Sequence, residues 1–563
     1  MREDPDKLPL AVNAKLDKKC SLLSFRFYTL MTTLGLFCVL SLISFRTYLS
    51  NVDLGKIVRL DESSKMVHDA SETVTARVEI NAEVKEDPWT VFNNGCRIVN
   101  FEALIENEGL GSTSTPVALL TVGGKVVRKD YTNITLPATV CVIVALPAPP
   151  PRRNDTAYSK VHSMPPDSVM VIARGADIVY PLETEPVGNA WIYAASALFL
   201  HEDVYGFDIQ IEERNYEWNA EPGLTPQPIY QPQPITLSPR VRVKLPQTEE
   251  KVLELPQRKP CNALSDMRGR WVKQERLYRD NAEDPWATLS SQPGWNHVVD
   301  EFGYVFVPDR CRLHFYSQEN AYQCLSNRTL HVYGDSNMRR SLRALRYGNA
   351  WCPVGHDICD CDDTLEDNVI PHPNPWIVQP TVPLEIPETG ASVYYHFIGG
   401  LVRQNLPWGY FLLDSATSSA RTLPRADLVV VSTGNWDSAF TEYSVYEQAL
   451  NRFVHAVGKE YAGTPVILRP PQSFCCFTTP GRHWTRLRME RFRRLIREKM
   501  REANITAVWD TGVLGMRPEV VQASVCENFG NHAHASFVRM ENQLLLNMIC
   551  EQPGMNFVYG HRQ

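Results

Sequence analysis

From residue 329 onward, short runs of β-branched and aliphatic residues alternate with amphipathic segments, and few folds accommodate that alternation. TLHVY (329–333), SVYYHFI (392–398), DLVVVST (427–433), TPVILRP (464–470) and TAVWD (506–510) read as strands buried on both faces. Segments near 337–347, 440–460, 483–503 and 534–550 read as helices. Such strands separated by helices predict an α/β fold: a parallel sheet with helices on both faces, whose sites form beyond the carboxyl ends of the strands. With 44% apolar and 21% charged residues among 563, the chain can bury a sizeable core. That excludes a disordered regulator and a multi-span membrane protein. The balance of 57 basic against 64 acidic residues, a net charge of −7, argues against a nucleic-acid partner.

Residues 87–221 follow a different period. VALLTV (117–122) and KVVR (125–128) flank Gly123-Gly124, a hairpin signal, and ATVCVIVAL (138–146) and SVMVIA (168–173) are further strand-like runs. In YGFDIQIEERNYEW, Phe207, Ile209 and Ile211 fall on one face and Asp208, Gln210 and Glu212 on the other. Residues 87–221 are therefore expected to form an immunoglobulin-like β-sandwich. Nine prolines between Pro222 and Pro260 block helix interiors and central strands, so 222–260 reads as a linker to a second unit, 261–563.

Upstream, Phe27 to Phe45 runs nineteen residues without a charge, the length of a membrane span. Its core is longer than that of a cleavable signal peptide and 26 residues precede it, so an uncleaved signal anchor is expected. The reading is a cytosolic tail (1–26), a transmembrane helix (27–45) and a stem (46–86), with Lys15, Lys18, Lys19 and Arg26 setting the N-terminus in the cytosol. The remainder then lies in an oxidising, glycosylating lumen. Twelve of the 14 cysteines fall there, an even number suited to disulfides, and sequons stand at Asn133, Asn154, Asn327 and Asn504. Cys352, His356, Cys359 and Cys361 have the look of a zinc cluster, but lumenal redox and the lack of a second CxxC pair favour disulfides, and no metal is expected. Nine basic residues from Arg482 to Arg501 read as a solvated helix face, with attraction of an acidic glycan as the functional alternative.

The residues suited to chemistry stand where a predicted strand ends and a helix begins, His331-Val332-Tyr333-Gly334-Asp335-Ser336-Asn337-Met338. A serine at such a turn presents a hydroxyl for nucleophilic attack and a backbone N–H for an oxyanion. The bland alternative is that Asp335 or Ser336 caps the helix. A serine nucleophile needs a base, and the best-placed histidines lie just before the last helix, in Asn531-His532-Ala533-His534. His396 and His483 read as hydrogen-bonded structural histidines.

At these residues the sequence resembles the SGNH/GDSL hydrolase superfamily, and within it the PC-esterase group. Gly334-Asp335-Ser336 matches the first block, and residues 531–534 match an Asp-x-x-His block with His534 in the histidine position and Asn531 in the acid position. Ser432-Thr433-Gly434-Asn435-Trp436-Asp437 is similar to the Gly/Asn block, and Gly399 or Gly400 follows the SVYYHFI strand. Arg268-Gly269-Arg270-Trp271 and Phe306 to Cys311, with Cys324 beyond, resemble the opening region of PC-esterase domains. The layout of anchor, sandwich and such a domain resembles the neurexophilin and PC-esterase domain family. The resemblance implies a flavodoxin-like SGNH sheet, Ser336 as nucleophile, His534 as base, and an oxyanion hole from the Ser336 N–H, Gly399 or Gly400 and Asn435.

Asn531 departs from that pattern, because an aspartate orients the imidazole and stabilises its cation whereas an asparagine carbonyl only orients it. Glu527 or Asp510 are candidates to replace the charge, and His532 is the alternative base. The expectation is a Golgi single-pass type II membrane enzyme with a lumenal catalytic domain, a glycan O-acyltransferase or O-acylesterase with acetyl as the favoured group. Its acceptor would be a glycan or polysaccharide; no cofactor is bound, and acetyl-CoA is one candidate acyl donor. The rival is a non-catalytic lumenal or cell-surface binding protein on a degenerate SGNH scaffold.

Overall fold

The computed structural model describes residues 95–147, 167–187, 191–214, 233–236, 240–244, 258–276, 299–347, 384–402, 423–472, 486–514 and 535–550, apart from 264, 301, 387, 388, 399, 504 and 506. The chain divides into two compact units, Met1–Val84 and Lys85–Gln563, and every described residue belongs to the second. The expected tail, span and stem therefore lie outside the described residues. Among the described residues, no helix is long and apolar enough to cross a membrane.

The first half is a pair of facing sheets. One contains β1 (Val117–Val122), β2 (Lys125–Val127), β4 (Ala138–Ala145), β7 (Thr184–Pro186) and β8 (Ile192–Phe199), in the order β2-β1-β4-β8-β7. The other contains β3 (Thr132–Thr135), β5 (Ser168–Arg174), β6 (Ile178–Leu182), β9 (Asp203–Glu213), β10 (Gln233–Thr236), β11 (Val241–Lys244), β13 (Gly269–Lys273) and β14 (Tyr304–Pro308). Its order is β14-β13-β6-β5-β9-β11-β3, with β10 also on β9. The uninterrupted apolar run of β4 follows from burial on both sides. Val140, Val142 and Val144 join Val171, Ile209 and Ile211 of the opposite sheet, while Cys141, Ile143 and Ala145 pack under α1 (Phe101–Asn107). A disulfide from Cys96 to Cys141 ties the approach to α1 onto the same strand.

Two boundaries differ from the sequence expectation. The proline-rich window 222–260, expected as a linker, supplies β10 and β11. Pro234 is accommodated because β10 is paired only with β9, where a missing N–H costs no second ladder. The boundary at residue 261 is crossed as well, since β13 and β14 extend the sandwich sheet through Trp271↔Val179 and Val272↔Ile178. GRWVK and YVFVP are β-branched and aromatic, and their pairing buries Trp271, Val272, Val305 and Phe306. Beside them β12 (Lys259–Pro260) pairs with β15 (Cys311–Arg312), and Cys261 is bonded to Cys311.

The second half holds one five-stranded sheet, β17-β18-β16-β19-β20, from β16 (Thr329–Gly334), β17 (Leu384–Ile386), β18 (Ala391–Phe397), β19 (Leu428–Ser432) and β20 (Val466–Arg469). All neighbours are parallel except β17 with β18. Along the parallel strands in chain order the arrangement is second, first, third, fourth, and a parallel bridge from Leu468 to Val508 continues it. This is the order of doubly wound flavodoxin-type sheets, whose switch point lies between the first and third strands, here β16 and β19.

Residues alternate between two helical layers. Tyr333, Val429 and Val431 face α5 (Tyr443–Glu460) and α6 (Arg486–Glu502). Leu330, Val332 and Val430 face α2 (Gln318–Leu325), α3 (Ser336–Tyr347) and α7 (Ala535–Cys550). Cys324 and Cys550 join the ends of α2 and α7 across 226 residues.

The two halves share a core. Met170, Ile172 and Val179 on the outer face of the sandwich sheet cluster with Trp271, Val332 and Leu544. Trp271 donates from its indole N–H to the Leu514 carbonyl at 2.8 Å and stacks 5.8 Å from Phe537 of α7. The arginines of α6, expected on a solvated face, instead dock on the sandwich: Arg493 reaches Glu183 at 3.2 Å and Arg494 the Thr184 carbonyl at 3.1 Å. Burial alone would raise the Glu183 carboxyl, but Arg493, Arg494 and Arg497 hold it at about 2. A helix placed between two layers needs partners for its guanidinium groups, and the acidic β6–β7 corner supplies them.

Because the core is continuous across both halves, Trp271→Ala is expected to lower unfolding free energy by about 3–5 kcal/mol and to move the transitions of both halves together. Urea unfolding followed by tryptophan fluorescence and by far-UV circular dichroism measures it; a transition shifting in only one probe would separate the halves.

Candidate active site

Three loops leave the carboxyl ends of neighbouring strands and meet at the switch point. The central one is Gly334-Asp335-Ser336, where β16 passes into α3. The turn is tight enough that a Cβ on Gly334 would sit 2.4 Å from the Met338 Cβ. Asp335 is fully buried and does two things with its carboxylate. Oδ1 accepts from the Asn337 N–H at 3.0 Å, capping α3, and Oδ2 accepts from the Asn435 amide at 2.8 Å. The capping role that competed for Ser336 thus belongs to Asp335. Ser336 is the first residue of α3 and is 7% exposed.

Asn435 opens the short helix α4 (Asn435–Phe440) at the end of β19. Gly434 precedes it with φ +98, a conformation closed to most side chains, and a Cβ there would meet Pro471 at 2.8 Å. Of the two N–H groups on the Asn435 amide, one is committed to Asp335, which orients the group next to the serine turn.

The third loop follows β18. The Ile398 N–H donates to the Gly334 carbonyl at 2.9 Å, and the Asp437 carboxylate accepts from Leu401 and Val402. Gly400 sits between these anchors. Tyr395 donates to the carbonyls of Gly334 and Asp335, at 3.1 and 2.9 Å, closing the floor of the site.

Behind the loops lies a buried charged layer that sequence reasoning missed. Arg469, the last residue of β20, pairs with Glu541 of α7 at 2.6 Å, and Gln472 donates to the same carboxylate. Arg469 also stacks over Trp509 at 4.6 Å, whose indole donates to the Glu541 carbonyl. Two turns into α7, this pair fastens the helix to the carboxyl edge of the sheet, the edge that carries Ser336. The available signal was Glu541, the one acidic residue of α7, within a helix whose ends are apolar. Burial raises the Asp335 carboxyl, opposed by the Asn435 amide and by Arg469. Burial also pushes Asp437 up to about 7, against the Leu401 and Val402 N–H groups, while Asp335 adds a like charge.

Of the expected site residues, Ser336, Gly400 and Asn435 are brought to one edge. Gly399, Asn531, His532 and His534 lie outside the described residues, as do Glu527, His483, Asn154 and Asn504 and the cysteines at 352, 359, 361, 475, 476 and 526. The Asp510 carboxylate, a candidate to replace the missing charge, pairs with Arg497 at 3.0 Å and lies 3.9 Å from Arg493. His396 is structural, 2% exposed and stacked on Tyr333 at 4.7 Å, and burial holds it near 4 and hence neutral. Asn133 and Asn327 are exposed, the latter at φ +56. Among the described residues, no cluster of His, Cys, Asp and Glu has the makings of a metal site.

No family model matches the chain, and no curated protein matches it. Solved structures similar to part of it include the inhibitor-bound aryl esterase of M. smegmatis, at 12% identity and TM-score 0.24, spanning 39% of this chain and 96% of that one. Another is Est24, a carbohydrate acetylesterase from Sinorhizobium meliloti, at 14% identity and TM-score 0.24, spanning 38% of this chain and 94% of that one. Scores this low do not bear on the chemistry, which rests on the residues themselves.

Asn435→Asp would set a second buried carboxylate against Asp335. Two such groups raise one another's pKa above the unfolded value near 3.9, so stability is retained below that pH and lost as pH rises through the raised values. The unfolding midpoint of Asn435→Asp is expected to fall more steeply than wild type between about pH 4 and 8, measured by thermal melts. Parallel profiles would contradict the Asp335–Asn435 contact.

Proposed function

We propose that the chain is a serine-dependent acyl-transfer enzyme of SGNH type, an O-acyltransferase or O-acylesterase acting on glycans, with acetyl the favoured group. The observation that carries this is the hydrogen bond from Asn435 to Asp335 at the switch point, because it sets an amide donor beside a serine that opens a helix. Ser336 Oγ attacks the acyl carbonyl while His534 takes its proton, and the oxyanion is held by the Ser336 N–H, the Gly400 or Gly399 N–H and the second N–H of Asn435. Collapse expels the donor's leaving group, which regains the proton from His534 and leaves an ester on Ser336. A sugar hydroxyl then attacks in a transferase, or water in an esterase, with His534 again as base.

Asn531 orients the His534 imidazole through its carbonyl, without an opposing charge for the cation. In serine proteases the corresponding loss costs about 10⁴-fold in turnover, while Cys-His-Asn enzymes work with an asparagine. That residue is also what favours the rival reading, a non-catalytic binding protein on the same scaffold.

We further propose a Golgi type II membrane protein anchored by residues 27–45, with a glycan or polysaccharide acceptor and acetyl-CoA as a candidate donor. Three disulfides among the described residues support an oxidising compartment, and the exposure of Asn133 and Asn327 supports their glycosylation.

Ser336→Ala is expected to abolish both labelling by a fluorophosphonate probe and hydrolysis of p-nitrophenyl acetate while expression level and Golgi delivery are unchanged; a wild-type chain that is never labelled would favour the scaffold reading. Asn531→Asp is expected to raise turnover of the same ester by about tenfold or more, by restoring the charge behind His534. Unchanged or lower turnover would remove Asn531 from the acid position.

A further inference from the structure

The Asp437 carboxylate is entirely buried, and among the described residues it takes part in no ion pair. It is aimed at backbone: Oδ1 and Oδ2 accept from the Leu401 N–H at 3.1 and 3.0 Å, and Oδ1 from the Val402 N–H at 3.3 Å. Thr441 approaches Oδ1 at 3.5 Å, and Asp335 and Tyr446 are its titratable neighbours. A buried carboxylate without a counter-charge costs free energy, so a residue of this kind needs a compensating role.

Its position in the sequence suggests that role. Asp437 lies two residues after Asn435 on the same short helix, and the loop it grips begins at Ile398, itself bonded to the Gly334 carbonyl of the serine turn. Gly400 is enclosed between the two grips, and a Cβ there would stand 2.7 Å from Asp437 Oδ1. We infer that Asp437 is a positioning residue that locks the Gly400 loop to the Asn435 helix, so that the two outer oxyanion donors are held as one rigid unit around Ser336. The inference rests on the serine-nucleophile reading. Asp437 touches no reacting atom; it acts by fixing where Gly400 and Asn435 stand, since donors serve a transition state only when held in place beforehand.

The test uses the full chain with p-nitrophenyl acetate as substrate. Asp437→Asn keeps the size of the side chain but turns an N–H₂ group toward the Leu401 N–H. The expected result is a fall in kcat of about 10²–10³-fold, the loss typical of one oxyanion donor, with KM changed less than about threefold. Gly400→Ala, which pushes against the same carboxylate, is expected to give the same split. Amide hydrogen exchange provides a readout that needs no variant: Leu401 and Val402 are expected to be protected in the wild-type chain. They are expected to exchange at least tenfold faster in Asp437→Asn, with the β16 and β19 amides unchanged. An active wild type with unaltered kcat in Asp437→Asn, or unprotected Leu401 and Val402 in the wild type, would overturn this inference alone. A wild type that neither turns over ester nor reacts with fluorophosphonate would overturn the serine-nucleophile reading itself.

Discussion

The contact between Asp335 and Asn435 joins the first and third strands of the parallel sheet at the point where the chain reverses direction across it. Helices depart to opposite faces there, and the space between their starts is the one place where an open α/β sheet offers a crevice. Asp335 serves both sides of that crevice. It caps α3, so Ser336 stands at the first turn with its N–H directed out of the helix, and it orients the Asn435 amide from the neighbouring strand. The Tyr395 hydroxyl and the Ile398 N–H then tie the β18 loop to the same turn, so three loops spread over 100 residues of sequence share one network of hydrogen bonds. Such a network holds donors in place without help from a ligand, which is what stabilising a transient negative charge demands.

The surroundings keep that edge rigid. Arg469 and Glu541 form a buried pair, and breaking a pair of this kind leaves an uncompensated charge, so α7 is held in one register against β20. On the far side the sandwich is bonded into the same core through Trp271, and α6 is clamped to it through Arg493 and Glu183. The sandwich therefore supports the α/β layer directly.

Much of this was legible in the sequence where one physical rule dominated. Continuous Val, Ile and Leu in β19 and β20, and the apolar and aromatic runs of β16 and β18, point to burial on both faces, and the glycine that ends β16 ahead of a helix start marks the turn. What was not legible depends on tertiary partners. Proline content spoke against strands in 222–260, but edge pairing tolerates Pro234. Arginine density spoke for a solvated α6, but Glu183 and Asp510 come from segments distant in the chain. The grip of Asp437 on the β18 loop had no signal in the sequence, because nothing local reveals that the Leu401 and Val402 N–H groups need an acceptor.

The central claim is that a hydroxyl on one loop and an imidazole on another converge at the carboxyl edge of the sheet. A crystal structure of the chain after reaction with a fluorophosphonate tests it most directly. The account expects phosphorus bonded to Ser336 Oγ, a phosphonyl oxygen within about 2.7–3.1 Å of the Asn435 amide and the Gly400 N–H, and the His534 ring within hydrogen-bond reach of the Ser336 oxygen. An adduct on another residue, or His534 on the opposite side of the sheet, would contradict it.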